Sequence, residues 1–552
     1  MRPAINPRGY FIVRHIFPVM LKITTVFRGD SYVNPRTRTA PPREASSHAV
    51  AGERGYLRSP SNLAEIIKFA PLWVCVLLAA CAHPRPPLQS SVAIPATMIK
   101  ATSHGFSSAG DTKASSFTQQ AMIRPASADR PQACALPGLA AAPRQAESVG
   151  HYLVLSGGSL HGAFGAGLFL GLQEAGILPA EPDVVTGVST GSLQATFLFL
   201  ARQQVPRDRD YSWQGGLATQ EGSSLPAIKG GRSNIEDLAL AYSIRKEREI
   251  LKPVPLGGVG MLIQGTKGSL APLRRRLLGL ISPETIREVA TEACRGRKLF
   301  VGVTNVDDGQ GYALDLTALA LRAYDGDATP QLMTLVRKAY VESLIASSSV
   351  PVGAKPVRLR IRDFDKNEHR INLFIDGGAR FGVFFQEIRA IQAANKQAGG
   401  GSGDVTLIVN TRLATNTWHD GDQRDPKEGW LLMTLGLRTV DILESQVYHL
   451  SVDTVETKAA ELGGLHMSYI SNENIAGGEE PDDHRYRGKT CEAWHLVDRQ
   501  ALHPIQFYPA YMACLIDYGR ERGRRGEWNT NIIGTEANAA TPAERSPARG
   551  RQ

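Results

Sequence analysis

Gly187-Val188-Ser189-Thr190-Gly191 constrains this chain more tightly than any other stretch of it. A β-branched run, Asp183-Val184-Val185-Thr186, leads in, and a helix-forming run from Ser192 to Leu198 leads out. Strand, sharp turn and helix is the setting in which G-x-S-x-G becomes a nucleophile elbow. Gly187 and Gly191 let the backbone crowd into a turn that larger side chains would block. The turn lifts Ser189 Oγ off the sheet, and the helix aims its positive end at negative charge developing beside it. The pentapeptide recurs by chance in glycine-rich chains, so its context decides what it means.

That context alternates strands with helices. Tyr152–Leu155 reads as a short buried strand, Gly162 to Gly176 as an Ala/Leu/Gly-rich helix, and Ser192 to Gln204 as a helix apolar on most faces. Further on, Leu299–Val306, Asn372–Ile375 and Asp404–Asn410 have strand character, while 332–346 and 384–395 have helical character. Such alternation predicts an α/β fold with a mostly parallel central sheet and helices on both faces, a three-layer α/β/α architecture. The more polar segment 205–298, with helical stretches near 235–249 and 270–280, reads as an insertion or cap within a catalytic domain over 150–390. Residues 391–532 then form a C-terminal part packed on that domain, and 533–552 a disordered tail.

The formal charge of +9 belongs mostly to the start of the chain: residues 1–80 hold eleven Lys/Arg against four Asp/Glu. The body is nearly neutral and has no nucleic-acid footprint. Within this basic extension, the apolar run Phe69–Ala80 follows Lys68 and is too short to span a bilayer comfortably. Charged flank, apolar core and small residues are the layout of a secretory signal. Leu78-Ala79-Ala80-Cys81 resembles the bacterial lipobox, which makes Cys81 the lipidated residue. Residues 1–81 are therefore read as an extension with a lipoprotein signal, and the Ala/Ser/Pro/Gln-rich 82–149 as a flexible linker. The expected location is the bacterial cell envelope, as a lipoprotein on the periplasmic side of the outer membrane. Cys294, Cys491 and Cys514 read as buried small hydrophobes, or as disulfide partners in an exported protein. No C-x-x-C or H-E-x-x-H spacing is present, and no metal or cofactor is expected.

Two further motifs flank the elbow. Ser156-Gly157-Gly158-Ser159-Leu160-His161-Gly162 joins the first strand to the first helix, where adjacent glycines leave N–H groups uncovered in an anion-binding nest. A dinucleotide-binding reading fails because the second strand ends in the serine elbow rather than in an acidic residue for a ribose. Downstream, Leu373-Phe374-Ile375 ends in Asp376-Gly377-Gly378, which brings a carboxylate to the edge where open α/β sheets bind ligands.

Gly157-Gly158-x-x-x-Gly162, Gly187-Val188-Ser189-Thr190-Gly191 and Asp376-Gly377-Gly378, in this order, resemble the motifs of patatin-like phospholipases. Ala346-Ser347-Ser348-Ser349-Val350-Pro351 resembles that family's alanine-serine-proline segment, and Phe507–Met512 with Leu515 and Asp517–Gly519 resembles the C-terminal end of its bacterial lipoprotein members. The resemblance implies a Ser–Asp dyad without histidine: Ser189 attacks an ester carbonyl and Asp376 is its base. It also implies an oxyanion hole built from Gly157, Gly158, Ser159 and Gly162, with Gly187, Gly191, Gly377 and Gly378 shaping the two turns. Ser159 stands where the family has a third glycine, and His161 where it has Arg or Lys, so His161 becomes a candidate substrate contact. The implied function is hydrolysis of lipid or other acyl esters at a membrane surface reached through a lipid anchor, with oligomeric state open. Two alternatives stand beside it. One is a catalytically silent binding module on the same fold. The other is a Ser-His-Asp esterase using His495 or His503, although His495 sits in the strand-like run Ala493–Val497 and reads as a core histidine.

Overall fold

The computed structural model describes residues 85–99, 131–139, 150–203, 233–255, 265–324, 329–364, 366–385, 404–411, 432–460, 464–470, 484–502 and 504–529. All of these belong to one compact unit, Leu72–Gln552. The apolar run with Cys81, most of the expected linker, the expected helix beyond 385, His503 and the tail 533–552 lie outside the described residues. No helix among the described residues is long and apolar enough to cross a membrane.

Among the described residues, nine strands form the central sheet: β1 (Ile94–Ile99), β2 (Tyr152–Leu155), β3 (Val184–Val188), β4 (Lys298–Asn305), β5 (Gly311–Asp315), β6 (Val357–Asp363), β7 (Glu368–Asp376), β8 (Val405–Val409) and β9 (Leu465–Tyr469). Their order is β9-β8-β2-β3-β4-β5-β1-β6-β7, and β7 also returns to pair with β4. The first five in that order run parallel to one another. The antiparallel pairings β4–β5, β5–β1, β6–β7 and β4–β7 curl the other end of the sheet back on itself.

Alternation along β2 assigns its side chains to two cores. Leu153 and Leu155 join the larger core, with residues of α1 (Gly162–Glu174), α2 (Thr190–Phe199), α3 (Asn234–Tyr242), α4 (Ala271–Leu280), α5 (Pro283–Cys294), α6 (Leu316–Leu321) and α7 (Pro330–Ser347). Tyr152 and Val154 join the second, under Val452, Val455 and Ala459 of α8 (Leu432–Ala460). A sheet covered on both faces must be largely apolar on both, which is why β2, β3 and β8 are buried at every position and rich in Val, Leu and Ile. α9 (Cys491–Leu502) and α10 (Pro509–Arg525) complete the described helices.

Three expectations need correction. Residues 94–99 are not linker: β1 lies between β5 and β6, with Ile94 and Ala96 fully buried. A single six-residue strand interrupted by Pro95, in an Ala/Ser/Pro-rich neighbourhood, lacks the length that would set it apart by periodicity. The boundary at 390 is not a boundary of the fold, because β8 pairs with β2 and β9 with β8, making the C-terminal part an edge of the same sheet. The Ala493–Val497 run is helical, within α9.

Candidate active site

The elbow forms where β3 ends. Ser189 has φ 49° and ψ −119°, a left-handed backbone that L-residues rarely adopt, and α2 begins at the next residue. A side chain on Gly187 would come within 2.5 Å of Gly191 O, and one on Gly191 within 2.6 Å of Ser156 O, so both positions must be glycine. Strain of this kind persists only where the surroundings over-determine it. Here Ser189 N–H donates to Ser347 Oγ at 3.0 Å, and Ser347 Oγ donates on to Gly302 O at 2.7 Å. Ser192 and Ser348 hydroxyls both donate to Ser189 O. Tyr242, from α3, donates to Thr190 O at 2.9 Å and shares a 2.5 Å hydrogen bond with Thr190 Oγ1.

Strand register brings the carboxylate to the serine. Val188 of β3 is opposite Gly302 of β4, and the next residue of β4, Val303, is opposite Asp376 of β7. β4 is therefore the bridge that sets Ser189 and Asp376 at neighbouring strand ends. Gly377 is needed for this approach, since a side chain there would lie 2.7 Å from Gly302 O. The Ala346–Pro351 segment touches both groups: Ser347 holds the elbow, and Asp376 N–H donates to Ser349 O at 3.0 Å.

Asp376 is fully enclosed, and burial pushes its pKa up to about 8, with the Glu444 carboxyl adding to the rise. Hydrogen bonding from Ser189 and from the Gly378 N–H, the latter 2.7 Å from Oδ1, pulls the other way. The Ser189 contact is loose, for Oδ2 of Asp376 has no partner at full hydrogen-bond geometry. Catalytic hydrogen bonds commonly tighten only when substrate arrives.

The glycine nest differs from expectation in its donors. Gly157 N–H donates to Gly382 O at 3.0 Å, and Gly162 N–H is taken by the carbonyls of Ser159 and Leu160, so neither is free to receive an oxyanion. Gly158 and Ser159 have φ of 140° and 53°, a turn that uncovers their own N–H groups. Gly158 cannot carry a side chain because its Cβ would overlap Asn410 O. A buried amide network fixes the loop: Asn410 N–H donates to Ser156 Oγ, and Asn410 and Gln194 exchange side-chain hydrogen bonds at 2.8 and 3.1 Å. His161 is used within the loop, its Nδ1–H donating to Gly158 O at 3.0 Å and its ring set edge-on to Tyr511. It is not among the residues that line the cavity beside Ser189.

That cavity opens next to Ser189 and is walled by Leu193, Phe197, Leu251, Leu273, Leu277 and Met512, with Ser159 and Gln506 among its few polar groups. Gln506 Nε2 donates to Ser159 Oγ at 2.7 Å, and Glu247 receives the N–H groups of Ile505, Gln506 and Phe507. The described parts of the 205–298 segment thus supply cavity walls and an elbow brace. His495 packs on Tyr508 and Tyr511, with Glu492 3.6 Å away, and has no described bond to Asp376 or Ser189. Tyr448, Asn410, Gln194, Tyr242 and Gln506 had no signal in the sequence, because each meets the site only through long-range packing.

The patatin-like phospholipase family model matches residues 153–387, an interval that contains the nest, the elbow and Asp376. The crystal structure of VipD from Legionella pneumophila is similar over 47% of this chain and 50% of that one, at 15% identity and a TM-score of 0.18. The chain thus spans about half the length of that protein. No curated protein matches.

Proposed function

Residues 153–387 being a patatin-like phospholipase domain, we propose that the protein is a serine acyl-ester hydrolase that cleaves lipid esters with a Ser189–Asp376 dyad. The observation that carries this reading is the juxtaposition of a strained serine and a buried carboxylate across β4, with a glycine nest on one side and an apolar cavity on the other. Ser189 Oγ attacks the ester carbonyl carbon while Asp376 takes its proton. The Gly158 and Ser159 N–H groups stabilise the tetrahedral oxyanion, each such donor being worth about 2.7–4 kcal/mol in the transition state. Collapse expels the alcohol, which recovers the proton from Asp376, and water attacks the acyl-enzyme by the same route. An apolar chain fits the leucine-walled cavity, which favours acyl over small polar substrates.

Lipidation at Cys81 would tether the enzyme to the membrane that holds its substrate. The disulfides Cys134–Cys294 and Cys491–Cys514 support residence in an oxidising compartment, in keeping with an envelope lipoprotein.

Hydrolysis of nitrophenyl esters and phospholipids, with a fluorophosphonate trap, tests the dyad. Ser189→Ala and Asp376→Asn are expected to lower kcat by about 10³-fold or more, and mass spectrometry should find the phosphonyl group on Ser189. His495→Ala should retain activity. Full activity in Ser189→Ala would overturn the proposal, and inactivity of the wild type toward every ester and the trap would favour a silent module. A Cys81→Ser form that still carries lipid would refute the anchor.

A further inference from the structure

The dyad leaves one polar group at its centre without a role, the hydroxyl of Tyr448. α8 delivers this side chain into the protein, where it is only 5% exposed. Its ring packs on Gly382, where an added Cβ would lie 2.7 Å from the ring carbon Cγ. The hydroxyl then reaches between the nest and the Asp376 turn. A Cβ on Gly157 would overlap Tyr448 Oη and lie 3.2 Å from Ser189 Cβ; one on Gly378 would lie 2.8 Å from Tyr448 Oη and 3.1 Å from Asp376 Oδ1. Three glycines on two separate loops thus leave room for a single tyrosine.

Among the described residues this hydroxyl forms no hydrogen bond. The hydroxyl is therefore available to a ligand carbonyl placed beside it. Burial first, and then the facing carboxyls of Asp376 and Glu444, hold the phenol well above its ordinary pKa, so it remains a proton donor. The nest, meanwhile, is short of one donor, because Gly157 N–H is committed to Gly382 O.

Building on the dyad reading, we infer that Tyr448 is a third catalytic residue, its hydroxyl donating a hydrogen bond to the carbonyl oxygen of the scissile ester as that oxygen becomes an anion. It acts beside the Gly158 and Ser159 N–H groups and makes up for the donor that Gly157 does not supply. The phenol keeps its proton throughout, so proton transfer between Ser189, Asp376 and the leaving alcohol is unchanged.

Tyr448→Phe removes only the hydroxyl and keeps the ring on Gly382. The expected result is a loss of about 100-fold in kcat, with KM within about threefold. The rate of fluorophosphonate reaction with Ser189 falls by a similar factor, because that reaction also develops charge on a tetrahedral oxygen. The midpoint of the acid limb of kcat/KM stays where it is in the wild type. Incorporating 3-fluorotyrosine at 448, which keeps shape and donor, restores the rate to within about tenfold of the wild type. Rates in Tyr448→Phe within threefold of the wild type would overturn the inference. So would a fall accompanied by a shift of the acid limb, which would make Tyr448 a positioning partner of Asp376 Oδ2, or an equal loss with fluorotyrosine, which would make the role one of packing. A wild type inert toward both esters and fluorophosphonate sinks the dyad along with this inference; an active wild type with an unaffected Tyr448→Phe sinks only the tyrosine.

Discussion

Asp376 sits under opposing influences that give it measurable behaviour. Burial, the largest, raises its pKa from the ordinary 3.8 to about 8, against the hydrogen bonds from Ser189 and Gly378. The proposed role as general base requires Asp376 to be ionised, so kcat/KM should climb about tenfold per pH unit below that value and level off above it. A plateau already reached at pH 6 would contradict this environment. Stability should run the other way. The folded state holds the proton more tightly than the unfolded chain, so the stability Asp376 contributes is fully present below 3.8 and is lost as pH rises through about 8. Asp376→Asn, expected to be inactive, should therefore be more stable than the wild type. The gain should grow from about pH 4 to pH 8, on the order of 5 kcal/mol at its upper end, and denaturant melts across pH read it directly. Gly157 carries a different lesson. Its position in a glycine-rich loop was legible, but not its use: the N–H is bonded to Gly382 O, and the missing Cβ is clearance for Tyr448. A motif records which residue is small, whereas the partner that needs the space comes from 291 residues away.

At the scale of elements, the contact between α1 and α10 is made by glycines on both sides. Gly167 and Gly171 of α1 meet the backbone at Ile516 and Arg520, while Gly519 and Gly523 of α10 meet the backbone at Phe164 and Leu168. A Cβ at any of the four would overlap a carbonyl oxygen of the facing helix, so the two backbones touch directly. Gly519→Ala should force the helices apart and cost about 1–3 kcal/mol or more, seen as a lower denaturant midpoint. Because α1 begins at the nest, activity should fall more than stability alone explains. The sequence marked 162–176 as an apolar, Ala/Leu/Gly-rich helix, and α1 occupies Gly162–Glu174. Its partner was not legible, since α10 lies some 350 residues on and glycine spacing on one helix does not name the other. β4 shows the same division. Its strand character was plain, yet its pairing with both β3 and β7, which unites Ser189 with Asp376, is a matter of register between distant segments.

At the scale of the whole molecule, two disulfides among the described residues tie separate pieces together: Cys134–Cys294 joins the 131–139 segment to α5, and Cys491–Cys514 joins α9 to α10. Standing 160 residues apart in sequence, Cys134 and Cys294 close a loop whose cross-link restricts the unfolded chain by about 5 kcal/mol on the chain-entropy account. Replacing both with Ser should lower the melting temperature markedly and leave the pH profile of hydrolysis unmoved. Equal stability with and without the bond would show that the 131–139 segment is held by packing alone. What the sequence determined by itself is local: a strand–elbow–helix around Ser189, a glycine nest after β2, a carboxylate closing β7, and the alternation that implies a layered α/β fold. These are short-range matters of φ/ψ and periodicity, written within a dozen residues. Only the tertiary structure decided which N–H groups of the nest are taken up within the protein, that β1 completes the sheet from within an apparent linker, and that Tyr448 reaches between the nest and the Asp376 turn. Those outcomes depend on clearance and hydrogen-bond accounting between segments hundreds of residues apart, and no local pattern encodes them.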